Sequence, residues 1–133
     1  MCLSDDSFLH QFECQTLPIE EFGHLGHLRL AWLYLNRCDL ETAIEKTTRG
    51  ISAYATSQGA TDKFHHTLTE AIVRLMFARM QACEGRTLDE YLEAHQDLVD
   101  NINSVVLTHY SKEVLFSPAA KAHFIKPDLM SLT

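Results

Sequence analysis

The chain is expected to be all-α, a compact single-domain bundle of four to six helices. Three features predict this. Apolar residues recur at helical rather than alternating spacing, capping residues stand ahead of the apolar runs, and only five glycines and three prolines interrupt 133 residues. With 46% hydrophobic and 22% charged residues, the chain is too apolar for disorder and long enough to bury a core without metal or disulfide staples.

Residues 1–17 lack sustained periodicity and read as a partly ordered arm, with Phe8, Leu9 and Phe12 available to dock on a helical domain spanning 18–133. Pro18 suits a first helical turn, where its missing donor is harmless, and Glu20 and Glu21 suit the positive helix end. A first helix is therefore expected from Pro18 to Arg37. Leu25, Leu28, Trp32 and Leu35 share one side of it, while Phe22, Leu30, Leu33 and Tyr34 carry apolar character most of the way round, as in a central helix.

Asp39 can cap a second helix that runs through Ala43, Ile44, Thr47 and Ile51 to about Ser57, with Gly59 as its stop. Gly50 inside it marks a close helix contact. Thr61 or Asp62 is the expected cap of a third helix, reaching Cys83 before Gly85, whose apolar stripe includes Leu68, Ile72, Leu75, Met76 and Met80. Thr87 and Glu90 form a capping box for a fourth, with Leu88, Tyr91, Leu92, His95, Leu98 and Val99 as its periodic face. Asn101 to Ser104 should break it, a shorter helix should cover Val105 to Tyr110, and Ser117-Pro118 should start one or two further turns.

Eleven basic against eighteen acidic residues give a formal charge of −7, which disfavours nucleic acid and anionic membrane surfaces. Lys46 with Arg49 is the closest approach to a basic patch. No apolar run reaches the eighteen or so residues that span a bilayer. Cys2, Cys14, Cys38 and Cys83 lack knuckle or CxxC spacing and read as free thiols, and the acidic N-terminus is not expected to act as a secretory leader. A cytoplasmic protein is the expectation.

Glycine loops for phosphate, GxSxG, HExxH and EF-hand patterns are absent. The histidines are the most informative residues. His24-x-x-His27 places two imidazoles one helical turn apart, and His65 on another helix can supply a third nitrogen to a shared divalent metal. Arg29, Tyr34 and Thr69, with Tyr54, Lys63 and Thr67, can add polar groups to an otherwise apolar pocket. The competing reading is structural: a histidine near a core more often bonds a backbone carbonyl than a metal, and His66 with Glu70 is at the spacing of a surface pair. No nucleophile or reaction can be named from these residues.

The segments His24-Leu25-Gly26-His27-Leu28-Arg29-Leu30-Ala31-Trp32, Gly50-Ile51 with Tyr54-Ala55, Lys63-Phe64-His65-His66-Thr67-Leu68-Thr69, and Leu115-Phe116-Ser117-Pro118-Ala119 with Pro127-Asp128-Leu129 resemble a family of small uncharacterised bacterial all-helical proteins. The resemblance extends from about residue 20 onward. It implies a bacterial cytoplasmic origin and importance for His24, His27, Arg29, Trp32, His65, Thr67 and Thr69, but carries no activity.

Two functions follow as expectations. The first is a histidine-lined pocket that binds a small metabolite or a divalent metal, with His24, His27, Arg29, Tyr34, His65 and Thr69 as ligand residues and His24, His27 and His65 as metal ligands. The alternative is a structural or protein-interaction module, in which the histidines pack and hydrogen-bond and the chain forms a homo-oligomer.

Overall fold

Nine α-helices and two short 3-10 turns make up the regular structure in the computed structural model, which describes residues 3–81 and 87–132. The all-α expectation stands, but four to six helices is corrected to nine among the described residues. Local caps and backbone breaks divide the chain more finely than hydrophobic periodicity indicates. The chain forms two compact units, Met1–Phe64 and His65–Thr133.

In the first unit, Ser4 caps α1 (Asp5–Glu13) by accepting from the Ser7 N–H. Pro18 opens only a 3-10 turn, Ile19–Glu21. Phe22 then leaves the helical region at φ −121° and ψ 49°, and α2 (His24–Arg37) starts after an extended Gly23. The helix expected from Pro18 is thus interrupted. Asp39 caps α3 (Leu40–Ser57) by accepting from Thr42 N–H at 2.8 Å, and Gly59 turns the chain beyond it at φ +70°, a conformation glycine adopts without steric cost. A second 3-10 turn, Thr61–Lys63, closes the unit.

The side chains of α1 show how the unit is held together. Phe8, Leu9 and Phe12 are buried, and the edge of the Phe12 ring occupies the space above Gly50, where a Cβ would lie 2.5 Å from it. Phe12 also packs on Phe22 and Tyr54, with ring centroids 5.2 and 5.9 Å away. Polar ties surround this apolar seat. Arg29 donates to the Leu3 carbonyl and to Asp5, and its guanidinium lies 4.5 Å from the Phe8 ring centre. Arg37 meets Asp6 at 3.1 Å, and the Tyr34 hydroxyl donates to Glu13 at 2.8 Å. Thr47 Oγ1 is enclosed on α3 without a hydrogen-bond partner among the described residues, an arrangement that costs about 1–3 kcal/mol.

The second unit begins with α4 (His66–Met80), whose cap is the His65 side chain rather than Thr61 or Asp62. The expected helix end at Cys83 lies outside the described residues. The Thr87–Glu90 capping box is present and opens α5 (Leu88–Ala94). His95, at φ −128° and ψ 56°, separates α5 from α6 (Gln96–Asp100), and Asn101 separates α6 from α7 (Ile102–His109). Arg79 grips this break from α4. Its guanidinium donates twice to Asp97, at 2.7 and 2.8 Å, and once to His95 Nδ1 at 3.4 Å. Ser111 and Ser117 cap the short α8 (Lys112–Leu115) and α9 (Pro118–Ala122), the latter with proline in its first turn.

Ala71 and Leu75 of α4, Val106 of α7, Tyr110, Leu115 and Leu132 form this unit's core. The C-terminal segment is strapped across it. Thr67 Oγ1 donates to the His123 carbonyl at 2.8 Å and accepts from Ile125 N–H at 3.1 Å. Tyr110 donates to the Ile125 carbonyl at 2.6 Å, and His109 Nδ1 donates to the Met130 carbonyl at 3.0 Å. Burial, followed by the charge of Glu70, pushes the Tyr110 hydroxyl up to about 12, so it keeps the proton it donates.

Candidate functional site

The structure gives each sequence-predicted site residue a place. His24 is exposed as the first residue of α2, and His27 lies one turn on, half-buried. His27 Nδ1 donates to the Gly23 carbonyl at 2.8 Å, and its ring stacks on Phe22 with centroids 4.1 Å apart. Burial holds His27 below the ordinary 6.5, although the bond to Gly23 pulls the other way; His24 adds a smaller lowering.

The folded state therefore binds the His27 proton less readily than the unfolded chain, and stability falls as pH drops below 6.5. His27→Gln should flatten that acid limb. Thermal melts across the range from about pH 5 to about pH 7 read the slope, and an unchanged slope in the variant would place the effect on other groups.

Arg29 and Tyr34, together with Arg37, tie α2 to α1. Burial and the bond to Glu13 raise the Tyr34 hydroxyl far above the usual phenol range. His65 uses both ring nitrogens: Nδ1 accepts from Leu68 N–H at 3.0 Å, and Nε2 donates to the Leu115 carbonyl at 2.7 Å. Thr69 meets His65 through the backbone, its hydroxyl donating to the His65 carbonyl at 2.8 Å.

Among the described residues no three His, Cys, Asp or Glu side chains are placed to hold a metal ion together. This overturns the expected divalent-metal site on His24, His27 and His65, and with it the histidine-lined pocket. The physical reason is clearest at His65. A ring with one nitrogen capping a helix and the other bound to a carbonyl has no lone pair left for a metal.

His66 is also engaged. With Arg74 it flanks the buried Glu70 carboxylate, Nε2 lying 3.2 Å from one oxygen and the Arg74 Nε 2.9 Å from the other. The expected surface pair is thus part of a charged cluster around a carboxylate whose side chain is only 8% exposed.

The concave surfaces of the first unit include two lined by its described residues. One is an apolar groove of about 140 Å³ floored by Phe22, Ile51, Tyr54 and Ala55. Ile19, itself 56% exposed, stands on its wall, with His27, Gln58, Lys63 and Phe64 around it. Burial, followed by the charge of Glu20, raises the Tyr54 hydroxyl. The other is a cleft of about 260 Å³ where the end of α1 meets α2 and α3.

Sequence reasoning named Tyr54 and Lys63 but not Ile19 as part of a site, and it missed Glu13 and Gln15. The available signal was Gly50, whose close contact turns out to be the Phe12 ring beside the cleft. No helix among the described residues is long and apolar enough to cross a membrane. Cys14 and Cys38 are free thiols, and Cys2 and Cys83 lie outside the described residues. No family model, curated protein or solved structure matches this chain.

Proposed function

We propose that the chain is a protein-interaction module whose first unit pairs with a second copy of itself through the apolar groove. The observation that supports this is the combination of a hole and a knob on one surface. Phe22, Ile51, Tyr54 and Ala55 form the hole, and Ile19, more than half exposed, is the knob. An interface with two-fold symmetry needs a surface complementary to itself, and a knob beside a hole meets that requirement.

Charge follows the same logic. Glu20 follows Ile19 in sequence and Lys63 lines the groove, so the proposed pairing is one in which Glu20 of each copy attracts Lys63 of the other. A groove this small supports a weak, reversible dimer rather than an obligate one. The bacterial cytoplasmic setting implied by the family resemblance belongs to the same proposal.

Sedimentation velocity from about 1 μM to about 1 mM, at about 0.15 M salt, tests the pairing. The wild-type chain should show a concentration-dependent dimer. Ile19→Asp and Lys63→Glu should each weaken it about tenfold or more, and mixing Lys63→Glu with Glu20→Lys should restore it as a heterodimer. A chain that stays monomeric throughout, or a dimer indifferent to all three changes, overturns the proposal.

A further inference from the structure

The cleft between α1, α2 and α3 contains no histidine and is separate from the dimer groove. Its apolar lining is the Phe12 ring, the Tyr34 ring, the Gly50 backbone and Ala53. Charged groups of both signs stand on its walls. Glu13 lies on the α1 side, its carboxylate receiving the Tyr34 hydroxyl. Lys46 and Arg49 lie on α3.

The Lys46 ammonium sits 5.7 Å from the centre of the Tyr34 ring and forms no ion pair among the described residues. Arg49 pairs with Glu45 at 3.0 Å, but its side chain is 80% exposed and keeps further donors for another acceptor. At the mouth, Gln15 lines the cleft from a backbone at φ +61°, in the left-handed region that few non-glycine residues occupy.

These groups discriminate among ligands. A simple anion would gain Lys46 and Arg49 but face the Glu13 carboxylate. A simple cation would gain Glu13 but face the two basic residues. A molecule with one charge of each sign and an apolar body satisfies both walls and the floor. We infer that this cleft binds a free α-amino acid with an apolar side chain, the carboxylate toward Lys46 and Arg49, the ammonium toward Glu13, and the side chain against Phe12, Tyr34 and Ala53.

The free carboxylate and free ammonium on one carbon distinguish this ligand from a peptide terminus. Bound there, it would bridge α1 to α3 and reinforce the seat of α1.

The test is a titration of the ¹⁵N-labelled full chain with L-phenylalanine, followed by amide shifts. Phenylacetate and phenethylamine, each lacking one charge, and the dipeptide Phe-Ala serve as comparison probes. L-phenylalanine should move the Gln15, Lys46, Gly50 and Ala53 amides saturably, and each comparison probe should bind about tenfold or more weakly. Lys46→Ala and Glu13→Gln lie on exposed side chains and should each weaken L-phenylalanine by a similar factor with the amide spectrum otherwise preserved.

No saturable shift up to about 10 mM overturns the inference. So does phenylacetate or phenethylamine binding as tightly as L-phenylalanine, since one charge would then suffice. Tight binding by Phe-Ala, or an affinity unchanged in both variants, also overturns it.

Discussion

Phe12→Ala should lower the stability of the first unit by about 3–5 kcal/mol, the usual cost of removing a large buried aromatic side chain. Phe12 is 2% exposed and packs against Gly50 of α3 and against the Phe22 and Tyr54 rings. Without that ring, α1 retains Phe8 and Leu9 and the ties from Arg29, Arg37 and Tyr34. The Asp5 and Asp6 ion pairs are too exposed to compensate, because solvent screens such pairs to about 0–1 kcal/mol each.

The chain's single tryptophan, Trp32, lies in α2 of the same unit. Its fluorescence during urea unfolding should therefore report the shift. An unfolding free energy within about 0.5 kcal/mol of wild type would mean that α1 is not seated through Phe12. Gly50→Ala attacks the same contact from the other side, since its methyl group would meet the ring at 2.5 Å.

Thr67→Val should cost the second unit about 2–4 kcal/mol, although the two side chains have nearly the same shape. Thr67 is fully buried, and one hydroxyl serves two backbone groups: it donates to the His123 carbonyl and accepts from the Ile125 N–H. Valine leaves both groups without their protein partner. Thr67→Ser keeps the hydroxyl and should lose only about 1 kcal/mol.

Amide hydrogen exchange separates these outcomes because it reads Ile125 directly. Protection of that amide should collapse in Thr67→Val and persist in Thr67→Ser. If both variants retain it, the strap is held by Tyr110 and His109 instead, and the role given to Thr67 is wrong.

The helical class was legible because helices advertise themselves locally. Asp39 ahead of α3, the Thr87–Glu90 pair ahead of α5, and Ser117-Pro118 ahead of α9 cap the helices they precede in sequence. Gly59 stands beyond α3 at positive φ. A cap and the backbone it satisfies are within three or four residues, so their chemistry can be read without knowing the rest of the chain.

Helix number was not legible in the same way. Periodicity ran through Phe22 and His95, but the backbone leaves the helical region at both. At His95 the break coincides with Arg79, sixteen residues earlier, donating to His95 and Asp97. Hydrophobic spacing carries no trace of such a grip.

Candidate sites divide along the same line. By itself the sequence determined that this is an all-helical chain, that Asp39 caps a helix ending at about Ser57, and that His24 and His27 stand one turn apart. Only the tertiary structure decided what the histidines do. His65 takes its second partner from Leu115, fifty residues away, and Tyr34 and Arg29 are committed to α1. A donor's spacing along a helix depends on backbone geometry alone, whereas its remaining lone pairs depend on which distant groups the fold brings to it.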